Sequence, residues 1–175
     1  RTFFLIVAAF TFLINGPFNV SVPVLANTRF TEGAAAFGLI LSAFGGGSLL
    51  GMVLAGVLPR LSARRMGPVL LAVTSLLGVG LALLGGVAAV SLAGAIALVM
   101  GTANGYVNVL FITWLQGRTP PHLLGRMMSL LMFAMTGLYP ISIALSGAAA
   151  RLSAPGLLTV SGLTLVVIVL AMAMF

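Results

Sequence analysis

The chain has 175 residues, 61% hydrophobic and only 5% charged, with a mean hydropathy of +1.28; a water-soluble domain carries about 25% charged residues, so this composition excludes one and marks a membrane protein. Eight arginines against a single acid, Glu32, give a net charge of +7, but they stand singly or in small groups between apolar runs, which excludes the continuous basic face of a nucleic-acid binder. The absence of cysteine excludes disulfides, thiolate metal sites and cysteine catalysis.

A helix that crosses a ~30 Å hydrocarbon core needs about 20 apolar residues. Cutting the sequence at its turn signals leaves six such runs, at 3–26, 34–58, 68–90, 92–115, 127–150 and 156–175. The first, "TFFLIVAAFTFLI", is too long and uninterrupted for a cleaved leader. It follows directly on Arg1, and the last run stops within "VVIVLAMAMF", so the chain is expected to be a fragment of a longer protein. The separators read as loops: "NTRFTEG", "PRLSARRMGP" and "QGRTPPHLLGR", then "RLSAPG", a tight turn in which Ser153 caps a helix and Pro155 sits in its first turn. The third and fourth runs meet around "GGVAAVSLAG" with almost no polar loop.

With six spans, Arg1, Arg60, Arg64, Arg65, Arg118 and Arg126 fall on one side of the membrane, and only Arg29 and Arg151 on the other. This bias places the amino end in the cytoplasm.

Two short patterns recur. "NGPFN" at 15–19 returns as "NGYVN" at 104–108, and "GVLPRLSA" at 56–63 returns as "GAAARLSA" at 147–154. The nearly equal offsets predict an all-α membrane fold of six helices built as a 3+3 repeat, residues 1–90 and 91–175. With three spans per unit the second copy is inverted, a plan common in secondary transporters. Asn15 and Asn19 share one helix face, as do Asn104 and Asn108. Each pair lies near mid-membrane, where an amide without partners costs several kcal/mol. The four asparagines therefore either bond to neighbouring helices or face a wet cavity. Matched depth in the two repeats favours the cavity, and Pro17 and Pro23 add bends of the kind found beside midplane sites. Phe12 and Phe111, three residues from the asparagines, would add apolar contact.

The glycine patterns in "GGGSLLG" (45–51) and "GTANG" (101–105) predict close helix packing. No Gly-Lys accompanies the former, so it is no phosphate loop. His122 has no carboxylate or second histidine near it, which argues against a metal or catalytic site. "ALSG" at 144–147 lacks the first glycine of the rhomboid-protease serine motif, and no span holds a histidine. No enzyme activity, cofactor or metal is expected. No span contains Asp or Glu, so a proton-driven activity would need a carboxylate outside this chain.

"PPHLLGRMMSLLMF" (120–133), preceded by "TWLQGRT", resembles the loop between the tenth and eleventh helices of major facilitator superfamily exporters. The similarity is to the branch of macrolide-efflux and enterobactin-exporter-like proteins, with its Gln-x-x-x-Pro and Gly-Arg-x-x-Ser pattern. "GVLPRLSARR" (56–65) looks like the superfamily's Gly-x-Leu-x-Asp-Arg-x-Gly-Arg-Arg loop: Gly56, Leu58, Arg64 and Arg65 match, while Arg60 replaces the acid and Ala63 the second glycine. "PFNVSVPVLA" is similar to the seventh helix of that branch. The resemblance implies that the whole chain is the carboxyl-terminal half of a twelve-helix transporter, partnered by an amino-terminal six-helix half and the lipid bilayer. It further implies export of a small amphipathic substrate such as a drug, macrolide or siderophore by alternating access. Gly56, Arg60, Arg64, Arg65, Gly125 and Arg126 would then form a cytoplasmic gate or rim. An alternative is a six-helix substrate-binding subunit of an energy-coupling-factor vitamin importer.

Overall fold

A computed structural model describes residues 16–58 and 63–173. Within these residues the chain is all-α: α1 (Gly16–Arg29), α2 (Ala34–Val57), α3 (Ala63–Gly86), α4 (Val90–Arg118), a short 3₁₀ turn (Pro121–Leu123) and α5 (Leu124–Ala173). Three stretches are long and apolar enough to cross a membrane, namely α2, residues Gly67–Gly86 of α3, and α4. Helix α2 is apolar along nearly its whole length, and large side chains such as Leu49, Val53 and Val57 on it, and Met132 and Phe133 on α5, stand exposed. Water would penalise such surfaces, whereas acyl chains accept them, and a helix meets its backbone hydrogen-bonding needs internally. The protein is built for a bilayer.

Helix ends depart from the expected spans for local reasons. The first helix continues to Arg29, so its connection to α2 is only residues 30–33. Gly33 takes φ +49°, a conformation easiest for glycine, as the chain enters α2. The third helix occupies 63–86 instead of 68–90, because Ala63, Arg64 and Arg65 are good helix formers and the Gly85-Gly86 pair ends it. The fourth runs to Arg118 and stops at Thr119 (φ −100°, ψ 126°), since Pro120 disfavours helical geometry in the residue before it. The runs predicted as fifth and sixth spans fall on the two arms of α5, broken at Ser153, whose φ of −165° and ψ of 105° are extended. The Gly156 N–H donates to Ser153 Oγ at 3.1 Å, so Ser153 is an N-cap with Pro155 in the turn it opens.

The most extensive helix pair is α2 with α4. Backbone meets backbone along it: Gly47 lies against Leu98 and Thr102, Gly51 against Thr102 and Tyr106, Gly101 against Phe44, and Gly105 against Ser48. The spacing from Phe44 to Gly101 equals that from Ser48 to Gly105, so the two helices run in the same direction. Both predicted Gly-x-x-x-Gly patterns therefore do pack helices closely. The second arm of α5 pairs with α3 in the opposite sense, Gly78 against Gly162 and Gly85 against Pro155. The first arm packs on α1. Leu25, Ile40, Leu77, Leu81, Leu84, Met100, Leu158 and Leu165 fill the middle.

These directions sort the ends of the bundle. Arg29 Nη1 donates to the Gly85 carbonyl at 2.9 Å, and Gly85 also adjoins Pro155, so Arg29, the 30–33 connection with Glu32, the end of α3 and the Ser153 break share one end. Arg64 and Arg65 open α3, Arg118 closes α4 and Arg126 opens α5, all at the other.

A candidate substrate-facing stripe

Carried along α4 at helical spacing, Ala93, Ala97, Gly101, Asn104, Asn108, Phe111 and Leu115 form one stripe. Its exposure is not uniform. Ala93, Ala97 and Gly101 are buried, Asn104 is half-buried, Asn108 is exposed, Phe111 is half-buried and Leu115 is buried again. The bundle thus opens at the two asparagines and closes on both sides of them. Among the described residues α1 and α4 make no extensive contact with each other; α1 packs on α5 and α2, and α4 on α2 and α3. Asn19 is exposed on α1 and makes contacts of its own.

A short relay holds the two helices at matched depth. Phe18, next to Asn19, has its ring centroid 5.0 Å from that of Phe44 on α2, and the Phe44 backbone lies against Gly101, one turn before Asn104. Gly16 is thirteen residues from the Arg29 end of α1, and Gly105 is fifteen from the Val90 end of α4. At 1.5 Å per residue both lie about 20 Å from the end of the bundle that holds Glu32.

The glycine that follows the first asparagine of each recurring pattern meets a serine-bearing backbone. A Cβ on Gly16 would strike the Ser142 hydroxyl and stand 2.7 Å from that of Ser146 and 2.8 Å from the Ser142 carbonyl, on the first arm of α5. A Cβ on Gly105 would strike the Ser48 carbonyl on α2. Ser48 Oγ donates to the Gly101 carbonyl at 3.2 Å, sealing that approach. The sequence offers Ser146 only as the serine of "ALSG" and does not mark Ser48 or Ser142 as helix contacts, although 142 and 146 share a helix face, the same signal that singles out the asparagines.

Asn15 and Phe12 lie outside the described residues, as does Arg60. Gly56 is exposed near the end of α2; Gly125 and Arg126 are exposed in the first turn of α5; Arg64 and Arg65 stand in the first turn of α3. His122 is exposed in the 3₁₀ turn, and among the described residues no group of three His, Cys, Asp or Glu side chains could hold a metal ion. An apolar groove of about 230 Å³ between α3 and α4, lined by Leu76, Gly80, Leu83, Ile96 and Met100, lies on another face of α4 from the asparagines.

Compared with known proteins, the chain matches no family model, no curated sequence and no solved structure.

Proposed function

We propose that this chain is a six-helix half of a major facilitator-type exporter, which moves small amphipathic molecules across an inner or plasma membrane by alternating access against a second six-helix bundle. The observation that carries the reading is the opening of the α4 stripe at Asn104 and Asn108, between buried residues on either side and level with the Asn-Gly-x-x-Asn segment of α1. Amides at that depth are costly unless they meet water, substrate or one another. A cavity that presents amides beside Phe111 offers both polar and apolar contact to an amphipathic substrate.

The reciprocal packing supports an inverted repeat. In each half the glycine of the pattern sits on a serine of the other half's second helix, Gly16 on Ser142 and Gly105 on Ser48. An exchange between the second helices of the two halves is of the kind that a pseudo-two-fold axis in the membrane plane produces. In this reading α1 and α4 are the first helices of their repeats and line the cavity. The rim of Gly56, Arg60, Arg64, Arg65, Gly125 and Arg126 closes the cytoplasmic end in one of the two states, and any coupling proton is carried by the second bundle.

The test is a pair of substitutions in the transporter. Asn19→Leu and Asn108→Leu should leave assembly close to normal, because both side chains are exposed, while altering which substrates are exported. Gly105→Leu should impair assembly for every substrate alike. Asn→Leu proteins that fail to assemble, with those that do assemble exporting a normal range, would make the asparagines interhelical links and end the cavity reading.

A further inference from the structure

The bundle end with most of the arginines has no acid to balance it, because the only carboxylate side chain in the sequence, Glu32, lies at the opposite end. One of these arginines is held in place. The Arg118 guanidinium carbon lies 4.9 Å from the ring centroid of Trp114, one turn earlier on α4, within cation–π range. A guanidinium held on a ring in this way still carries five N–H donors in a planar fork, the arrangement that matches a phosphate. Trp114 is the single tryptophan of the chain, and tryptophan favours the headgroup level of a bilayer.

The neighbouring helix brings more charge to that level. Gly80 of α3 abuts the Met100 side chain of α4, and the two helices are antiparallel. Fourteen residues along each from that contact are Met66 and Trp114. Arg64 and Arg65 therefore stand at the height of the Trp114–Arg118 pair, with Arg126 opening α5 at the same end. Between this level and the Gly80–Met100 contact, both helices carry apolar, half-buried residues: Leu70 and Val73 on α3, Val107 and Leu110 on α4.

We propose that Trp114 and Arg118 form a binding site for an anionic phospholipid. Its phosphate is gripped by Arg118, and its acyl chain lies along the seam between α3 and α4. A free phosphate would use the first half of this arrangement and leave the apolar seam empty. A zwitterionic lipid would bring its own cation into a cluster that already has too many. The site is independent of what the bundle transports.

The single tryptophan makes the test direct. The chain is placed in phosphatidylcholine vesicles containing a minor fraction of phosphatidylglycerol, with one lipid brominated at a time, and quenching of Trp114 fluorescence is read per mole of brominated lipid. Phosphatidylglycerol should quench about fivefold more strongly, the enrichment that the attraction of one surface arginine produces. The excess should fall towards parity in R118Q. It should also fall in the unsubstituted chain as salt rises, which tests the charge without any substitution. It should persist when inorganic phosphate replaces an equal ionic strength of chloride. Equal quenching by the two lipids overturns the proposal, as does an excess that R118Q or salt leaves intact. An excess abolished by inorganic phosphate but not by chloride assigns the site to free phosphate and removes the lipid.

Discussion

Arg29 reaches across 56 residues of sequence to donate a 2.9 Å hydrogen bond to the carbonyl of Gly85, in the last turn of α3. The final carbonyls of a helix have no partner within it, and the negative end of the helix dipole favours a cation there. Replacing Arg29 by methionine should lower stability by about 1 kcal/mol, a modest value because the side chain is exposed. Lysine at 29 should restore part of the loss. Thermal unfolding midpoints in detergent read both, and an unchanged midpoint for Arg29→Met would reduce the bond to a surface contact.

The α2–α4 seam predicts opposite signs for neighbouring glycines. Gly105→Ala drives a methyl into the Ser48 backbone and should cost about 1–3 kcal/mol. Nothing lies within 4 Å of a Cβ on Gly46, one residue from the contact glycine Gly47. There alanine should be neutral or should stabilise by up to about 1 kcal/mol through helix propensity. Equal effects at the two positions would show that the helices are not in backbone contact.

Ser153→Ala removes the acceptor for the Gly156 N–H and should cost about 1 kcal/mol, whereas Asp or Asn at 153 should keep most of the cap. Comparing the three midpoints separates the cap from mere tolerance of a small residue.

Single cysteines at Thr31 and Ala63 should label from opposite sides with an impermeant thiol reagent in intact cells, Thr31→Cys from outside. The native chain has no cysteine to interfere. Outside labelling of Ala63→Cys would overturn the orientation inferred from the arginines.

The helices were legible because they are long and apolar, and the Ser153 cap was legible because an N-cap acts within three residues. Partners were not. Nothing near Arg29 in the sequence points to Gly85, and nothing near Ser48 points to Gly101, since such contacts depend on how helices cross. The glycine patterns foretold close packing but not which helix would come close. The asparagines were visible as misfits in apolar runs; that Asn108 is exposed while Leu115, two turns on, is buried emerged only from the packed bundle.

At the Glu32 end the chain turns back by very short means: residues 30–33 between α1 and α2, residues 87–89 between α3 and α4, and Ser153 between the arms of α5. Proteases cut where several residues can unfold into an extended strand, and tags survive where a loop has slack. This end offers neither. A protease confined to that side of the membrane should leave the bundle in one piece, and an epitope inserted there should disturb folding.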